Sequence, residues 1–407
     1  MRSALSVAIA ALLVTSLLTM AIVAADPTAE TPPVEDHSST LQPALQPDGD
    51  ETTARLGLAG PTETAYTTQS PDLGTTLAAT DDQMRNEWLI HEAAYRWQDL
   101  SDAEREELLD ELEDRLIDRI DELDAREQRA VADVVEGDVS ADHLLRTMAR
   151  NDHEATVLIT NINRLSSYAD DVPDYRIVPR TPTNMLQVYQ GPVRSNAYET
   201  ISAADRSDRP GVTTIRVAES GAVVSAIEGG TYLREAVRFD NRDPSLPNQL
   251  EDRTAASDRI SEHYPLVHDA GFSSDPYLLE SHYSIQLFRL DTDHEHGALN
   301  AYLDGGTTEI FRENQELNLN DLPRVALGTW EDGDLNVTVN GTPGDELVEV
   351  TVTDAESGEP LDATIQLDDQ PVIETDDAGV AWLAPPPTEY ELTVQTDAGS
   401  TTIDDLG

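Results

Sequence analysis

Two histidines in the segment DTDHEHG, residues 291–297, have the types and spacing closest to a metal site in this chain. His294 and His296 are two positions apart, so on a strand both side chains would leave the same face. Asp291 and Asp293 add carboxylate oxygens, and imidazole with carboxylate suits a divalent transition metal. The competing interpretation is a solvated hairpin loop, because acidic neighbours are common in a chain with 79 Asp and Glu residues.

Two N-glycosylation sequons follow closely on one another in the C-terminal part of the chain, at residues 336–338 and 340–342. An Asn-x-Thr sequon in an exported protein is a candidate sugar acceptor on an exposed segment. Asn336 and Asn340 are therefore predicted glycosylation sites. The alternative is coincidence in a threonine-rich sequence.

The usual catalytic motifs are missing from the sequence. We find no Gly-x-Ser-x-Gly elbow, no glycine-rich phosphate loop with lysine, no His-Glu-x-x-His and no dinucleotide fingerprint. The sequence therefore predicts a protein that is not an enzyme and that carries no cofactor. A metal-dependent hydrolase using His294 and His296 is the less favoured alternative.

The charge is strongly one-sided, with 79 acidic residues against 26 basic ones and a net charge of −53. Every basic residue is arginine, and the chain has no lysine and no cysteine. Such self-repulsion opposes a compact state unless salt screens it, and at molar salt the Debye length is about 3 Å. The composition predicts a protein of a halophile, excludes nucleic acid as a partner, and excludes disulfides and a thiolate metal site.

The N-terminus is typical of an exported protein. Residues 1–25 contain one arginine followed by an uncharged apolar run and then small residues, which predicts a signal peptide. The run over residues 4–25 is also long enough to span a bilayer, so an uncleaved membrane anchor is the alternative. Residues 26–75 are rich in Pro, Thr and acids, and they predict a disordered tether.

Helical periodicity predicts a three-helix bundle over residues 76–172. Capping boxes beginning at Thr80 and Ser101 mark two helix starts, and apolar residues recur every three or four positions after Ser101. Trp88 and Trp97 are expected in the core of the bundle. The short links predict antiparallel neighbours.

Residues 180–325 contain the same order of elements twice, a helix followed by three strand-like runs. A Gly-Gly-Thr turn separates the second and third strands each time, at Gly229-Gly230 and Gly305-Gly306, and each turn leads to an Arg-Glu pair. Gly-Gly between strands predicts a tight hairpin with positive φ. We therefore expect tandem α+β units in which the repeated letters have a structural role.

Residues 333–407 alternate polar and apolar residues in short runs, with turn residues at Asn340-Gly341, Asp354–Gly358 and Asp376–Gly379. This spacing predicts a small β-sandwich. The fold class predicted for the whole chain is multidomain α+β: an N-terminal helical hairpin bundle, a tandem helix-plus-antiparallel-sheet unit, and a C-terminal β-sandwich.

Three resemblances add to this interpretation. The segments DLGTTLAATDDQMRNEW, GTYLREAVRFDNRDP and LNAYLDGGTTEIFRENQEL resemble, in order, those of secreted proteins of halophilic archaea with a domain of unknown function. The helix and strands around LNAYLDGGTTEIFRE resemble PepSY-like domains, which implies regulation of an envelope protease. VTVTDAESGEPLDATIQLDD, with Thr375, Asp376 and Gly379 in a following turn, resembles the carboxypeptidase regulatory-like domain, an immunoglobulin-like, transthyretin-like sandwich.

Together these observations predict a non-catalytic exported protein at the cell surface of a halophile, with a binding or structural role at the envelope. The expected partner is an envelope protein, a peptide or a surface glycan, and no nucleic acid. The alternative is a PepSY-like regulator or inhibitor of a secreted protease.

Overall fold

The computed structural model describes residues 55–406, except 176–179, 204–210, 266, 268–276, 279–285, 343–346, 369 and 398. The predicted signal or anchor at residues 1–25, and the predicted tether as far as residue 54, lie outside the described residues.

Helices dominate the first half of the described chain, and antiparallel sheets follow, so the protein has a mixed α+β architecture. Short 3-10 turns occupy Trp97–Asp99 and Phe239–Asn241. The α-helices are α1 (Leu73–Arg96), α2 (Asp102–Val135), α3 (Ala141–Ala169), α4 (Arg180–Gln187), α5 (Pro192–Ser202) and α6 (Arg253–His263).

The starts of α1 and α2 test the two predicted capping boxes. The box at Ser101 is confirmed, because the Ser101 amide donates to the Glu104 carboxylate at 2.8 Å. The box at Thr80 is wrong: α1 begins eight residues earlier by its bounds, and the Asp72 carboxylate accepts from the Thr75 amide at 2.6 Å. Asp72 therefore caps the helix, and the predicted box lies inside it. There, the Thr80 hydroxyl donates to the Thr76 carbonyl instead of capping the helix.

The strands form one large sheet and two smaller ones. The eight-stranded sheet has the order β1-β2-β3-β4-β8-β7-β6-β5, and the four-stranded sheets are β14-β11-β10-β9 and β13-β12-β15-β16. The strands are β1 (Glu63–Thr68), β2 (Val212–Ala218), β3 (Gly221–Glu228), β4 (Thr231–Arg238), β5 (Tyr277–Leu278), β6 (Leu287–His294), β7 (Gly297–Asp304), β8 (Ile310–Asn318), β9 (Val325–Asp332), β10 (Leu335–Gly341), β11 (Val348–Asp354), β12 (Thr364–Leu367), β13 (Gln370–Glu374), β14 (Val380–Leu383), β15 (Tyr390–Gln395) and β16 (Ser400–Leu406).

Strand β1 corrects the C-terminal limit of the predicted tether. The tether was expected to reach residue 75, but β1 pairs along its whole length with β2, from Glu63 opposite Val217 to Thr68 opposite Val212. The segment ETAYTT is short and polar, so composition alone suggests disorder. Its β-branched and aromatic side chains nevertheless suit an edge strand once β2 is present.

The two predicted α+β units share one sheet. The meanders β2–β4 and β6–β8 are joined by antiparallel pairing of their third strands, with Thr231 opposite Asn318 and Val237 opposite Arg312. The helical bundle also shares its core with the sheet, because Leu144 of α3 and Val193 of α5 lie in one apolar cluster with Val224 of β3. The predicted limit between residues 172 and 180 therefore does not separate two cores.

The two Gly-Gly pairs are alike in sequence and different in structure. Gly229 and Gly230 have φ of 57° and 82° and close the predicted tight hairpin. At the second pair the residue with positive φ is Thr308, at 62°. There, a side chain on Gly305 would contact Asn248 and Phe288. The second glycine pair is thus required by close packing, and the prediction of the same hairpin there is wrong.

The repeated Arg-Glu pairs supply buried charges to both faces of the large sheet. Arg234 of β4 forms an ion pair with Glu313 of β8 on one face, and the hydroxyl of Tyr264 donates to the same carboxylate at 2.6 Å. The other face carries Glu235, whose carboxylate binds the Arg194 guanidinium at 2.6 Å. Adjacent residues of a strand point to opposite faces, so each dipeptide serves both networks.

The second network connects the sheet to the helices. Glu127 of α2 accepts from the Arg312 guanidinium at 3.0 Å and lies 3.5 Å from that of Arg194. Glu235 also caps α5, because one of its oxygens accepts from the amides of Val193 and Arg194 at 2.7 and 3.1 Å. A carboxylate at a helix N-terminus is stabilised by the free amides and the helix dipole.

Gly191 makes this approach of Glu235 to α5 feasible. A Cβ atom at residue 191 would overlap the Glu235 carboxylate, whereas one at the exposed Gly57 would meet no neighbouring atom. We expect Gly191→Ala to lower the free energy of unfolding by about 3 kcal/mol, because the buried carboxylate must move from its donors. Urea unfolding at fixed salt measures the change. Gly57→Ala is the control and should change stability by less than about 0.5 kcal/mol; equal losses in both variants would contradict this account.

Helix α1 buries polar side chains and exposes aromatic ones. Its buried positions include the polar Asp82 and Asn86, while Trp88 is 68% exposed and Tyr95 is 89% exposed. Asp82 binds the guanidiniums of Arg119 and Arg150 from α2 and α3, at 2.9 and 2.6 Å, so charge pairing fixes which face turns inward. The prediction that Trp88 is a core residue is therefore wrong.

Trp97, which follows α1, is the bundle tryptophan that the structure buries. It is 7% exposed, and its ring centroid lies 4.9 Å from that of Tyr168 at the end of α3. The Arg105 guanidinium covers the same indole at 5.2 Å. The prediction of Trp97 as a core residue is confirmed.

The C-terminal strands form the predicted sandwich, which begins with β9 at Val325. Gly379 has φ of 72°, and the Asp376 carboxylate accepts from the amides of Ala378 and Val380, both at 2.9 Å, so the Asp376–Gly379 turn is present. Asn340-Gly341 is not a turn, because both residues pair within the central strand β10.

Candidate functional site

The four predicted metal ligands do not converge as one group in the described structure, although the two histidines are neighbours. Asp291 and Asp293 are exposed on β6, whereas His294 follows in the alternate direction and is half-buried. His296 lies in the turn after β6, where its Nδ1 is 2.9 Å from the Asp321 carbonyl oxygen. Strand alternation therefore separates the two carboxylates from His294, whereas the rings of His294 and His296 lie 6.2 Å apart between centroids, edge to face.

The chemistry of His294 also differs from that of an exposed ligand. Burial, and then the neighbouring His296, lowers the pKa of His294 to about 4, so the ring is neutral over the physiological range. Its Nδ1 lies 3.3 Å from the donating amide of His296. Among the residues that the structure describes, no group of three or more His, Asp or Glu side chains is arranged to hold a metal ion.

The two sequon asparagines lie on the central strand β10 rather than in a loop. Both are half-buried, and they alternate with the core residues Val337 and Val339. The Asn340 amide donates to the Glu349 carboxylate at 3.2 Å, and Oδ1 of Asn336 is enclosed. Glycosylation of Asn336 and Asn340 stays a prediction, and it would require the oligosaccharide to leave the face of a sheet.

A deep recess lies between the large sheet and the C-terminal sandwich. Its volume is about 630 Å³, within the range of ligand sites. We call it the inter-sheet crevice. One wall is β2, β3 and the start of β4, and the other is formed by β12, β13 and β14 with their connecting turn.

The lining of the inter-sheet crevice is mainly apolar with a few polar groups. Ile227, Tyr232, Ile373 and Trp382 supply large side chains, and the carboxylate of Glu374 supplies a charge. The remaining lining residues are Gly211, Val212, Thr214, Ser225, Ala226, Thr364, Val372, Thr375, Leu383 and Ala384. This combination suits an apolar ligand that also presents hydrogen-bonding groups.

Two polar contacts hold the sandwich beside this crevice. The Tyr66 hydroxyl of β1 donates to the Ala384 carbonyl at 3.3 Å, and the Arg216 guanidinium of β2 donates to the Pro385 carbonyl at 2.5 Å. Burial raises the pKa of Tyr66, so its hydroxyl remains a proton donor. An apolar cluster that includes Tyr232, Leu347 and Ala384 adjoins the same contact.

Strands β13 and β14 give the crevice a second property. Each is the edge strand of its four-stranded sheet, with one hydrogen-bonded strand neighbour in the described part of the chain. An edge strand presents backbone donors and acceptors that an added extended segment can pair with. The lining of the crevice therefore includes residues of two edge strands as well as large apolar side chains.

Sequence reasoning did not identify the crevice, because its walls are about 150 residues apart in sequence. The run Val380–Leu383 was predicted as a strand of the sandwich, and Trp382 lies in it at a half-exposed position. A half-exposed tryptophan in a short edge strand was the available indication. Nothing local in β2 or β3 indicated that the sandwich would dock there.

Comparison with protein-family models identifies a family for the first half of the chain and for two further segments. The model described as Domain of unknown function (DUF7096) matches residues 1–206, half of the chain, and the chain belongs to that family. A model described as Family of unknown function (DUF7094) matches residues 213–323, and an Archaeal fibronectin-III type-like domain matches residues 327–403. No curated protein and no solved structure matches significantly.

These matches confirm part of the predicted resemblance. The chain combines a domain of unknown function with an immunoglobulin-like C-terminal sandwich of an archaeal family. The sandwich is matched by the fibronectin-III type-like model, whereas a carboxypeptidase regulatory-like domain had been expected. Of the helices in the described part, none has the length and apolar character needed to cross a membrane.

Proposed function

We propose that this protein is a non-catalytic, exported cell-surface protein of a halophile that binds an extended polypeptide segment in the inter-sheet crevice. The observation that carries the proposal is the pairing of an apolar recess of about 630 Å³ with two edge strands in its lining. In this mode, backbone hydrogen bonds provide affinity and alternate side chains enter the apolar recess.

The character of the bound segment follows from the lining. Ile227, Ile373 and Trp382 favour aliphatic or aromatic side chains on the segment. Glu374 favours a neutral or basic residue beside them. An envelope protein with an extended apolar and basic segment fits these requirements.

Two other functions remain as alternatives. A regulator of a secreted protease would use the same crevice for a segment of that protease, so the identity of the bound protein separates it from a structural partner. A metal-dependent hydrolase has less support, because the histidine pair and its acidic neighbours point in different directions.

Site-specific photo-crosslinking in a halophilic archaeal host tests the proposal. A photoreactive phenylalanine analogue replaces Ile373 in the full chain, and the matched control replaces Ile117, which is 39% exposed on α2. We expect a discrete protein adduct from position 373 that position 117 does not give. Identical adducts from both positions, or none from position 373 in a folded protein, would refute crevice binding.

The location is tested on the same cells by fractionation and N-terminal mass spectrometry. A new N-terminus at Asp26 indicates a cleaved signal, and an intact N-terminus in the membrane fraction indicates an anchor at residues 4–25. Recovery of the intact chain in the cytoplasm would contradict export while leaving the crevice result to stand by itself.

A further inference from the structure

The outer face of α1 is an apolar stripe with no partner in the described structure. Leu73, Leu77 and Met84 are 74%, 59% and 59% exposed, and Trp88 and Tyr95 are more than two-thirds exposed. We call these five residues the α1 stripe. At 3.6 residues per turn they occupy a sector of roughly 60°, and they extend for about 33 Å along the helix.

The α1 stripe is unusual for this molecule. Exposed large apolar residues in the described chain are otherwise Ile117 and Leu246, which lie on other elements. The opposite side of α1 buries four small or polar residues, Ala79, Asp82, Asn86 and Ala93, and one large apolar residue, Ile90. The helix thus turns five large apolar side chains, both of its aromatic ones included, to solvent, which is typical of an interaction surface.

The charge of α1 permits a copy of the same acidic chain to approach. Its 24 residues contain four acids and two arginines, whereas the 34 residues of α2 contain 14 acids and five arginines. Arg85 is paired with Asp81 at 2.6 Å and Arg96 with Glu92 at 3.7 Å, both within α1. A membrane surface is disfavoured, because interfacial helices carry an excess of basic residues.

The spacing along α1 matches a two-fold axis at Met84. Counting outward from Met84, Leu73 and Tyr95 are each eleven positions away. Thr80 and Trp88 are each four positions away, and Leu77 and His91 are each seven positions away. In an antiparallel pair of α1 helices about this axis, Met84 would face Met84 of the other copy, and Leu73 would face Tyr95. Trp88 and Leu77 would pack over Thr80 and His91 of the other copy.

We propose that the α1 stripe is a homodimer interface in which two copies of the chain pack α1 against α1 in antiparallel orientation about Met84. Two stripes of five large apolar side chains would bury an area on the order of 1,000 Å², the lower end for a specific interface. Trp88 and Tyr95 would contribute most of the binding free energy, because aromatic side chains dominate such interfaces.

Cysteine crosslinking tests both the contact and its direction, since the chain has no cysteine of its own. In the full-length chain in its host, Met84→Cys should give a disulfide-linked species of twice the chain mass after diamide treatment. Ile117→Cys on α2 is the control and should stay monomeric. Leu73→Cys alone should not crosslink, because the two copies of residue 73 would be about 33 Å apart.

Co-expression of Leu73→Cys with Tyr95→Cys should restore the crosslink. The proposal is overturned if Met84→Cys gives no dimer, if it links instead to another protein, or if Leu73→Cys links to itself as efficiently. As a second measurement, Trp88→Glu should raise the dissociation constant at least tenfold by sedimentation in molar KCl with an unchanged circular dichroism spectrum. A dimer that survives this substitution would assign the interface to another surface.

Discussion

We expect Glu127→Gln to lower the free energy of unfolding by about 3–5 kcal/mol, the cost of removing one partner from a buried ion pair. Glu127 is fully buried and accepts from Arg312 at 3.0 Å while lying 3.5 Å from Arg194. A neutral amide leaves two buried guanidiniums with less compensating charge. Urea unfolding in molar KCl, followed by circular dichroism, measures the loss.

A control on the same helix isolates the effect of burial. Glu111 of α2 is exposed and binds Arg115 at 2.6 Å, so Glu111→Gln removes the same charge from a solvated pair. Its expected cost is below about 0.5 kcal/mol. Equal losses at Glu127 and Glu111 would show that the buried network does not connect the helices to the sheet as described.

The second large effect concerns salt. With a net charge of −53, we expect the thermal midpoint to rise by roughly 10 °C or more between 0.2 M and 3 M KCl. The exposed face of α2 is one source of this repulsion, because 10 of its 17 exposed residues are acidic. Thermal scans by circular dichroism at a series of KCl concentrations provide the measurement.

Neutralising part of that face separates screening from a general effect of salt on solubility. A variant with Glu106→Gln, Glu107→Gln, Asp114→Asn and Asp118→Asn should reach a given thermal midpoint at lower KCl, because its self-repulsion is smaller. A midpoint independent of KCl in the parent chain would contradict the interpretation of the charge as an adaptation to brine.

The order of helices and strands was predictable wherever periodicity and capping are local properties. The box at Ser101 and the turn at Asp376–Gly379 are of this kind, because all their hydrogen bonds lie within a few residues. Strand β1 was missed because its hydrogen bonds go to β2, about 150 residues later. The six residues of β1 contain too few strand-favouring side chains to outweigh a polar composition that suggests disorder.

The inward face of α1 shows a different limit of prediction from sequence. Periodicity defines an apolar stripe through Trp88, and it places that stripe inside by default. The structure turns Asp82 and Asn86 inward because Arg119, Arg150 and Glu154 of α2 and α3 supply charged and hydrogen-bonding partners. The predicted metal ligands show a related limit, since alternation along β6 directs Asp291 and Asp293 away from His294 although all three are close in sequence. The crevice likewise depends on how two separate sheets dock.

The attachment of residues 55–68 has a mechanical consequence. Leu56 donates its amide to Glu313 and accepts from Arg234 at 2.7 Å, and six residue pairs of β1 and β2 follow. Tension applied along the chain at residue 55 would load these bonds in parallel, as shear, rather than opening them singly. The force would enter the middle of the large sheet through Arg234 and Glu313.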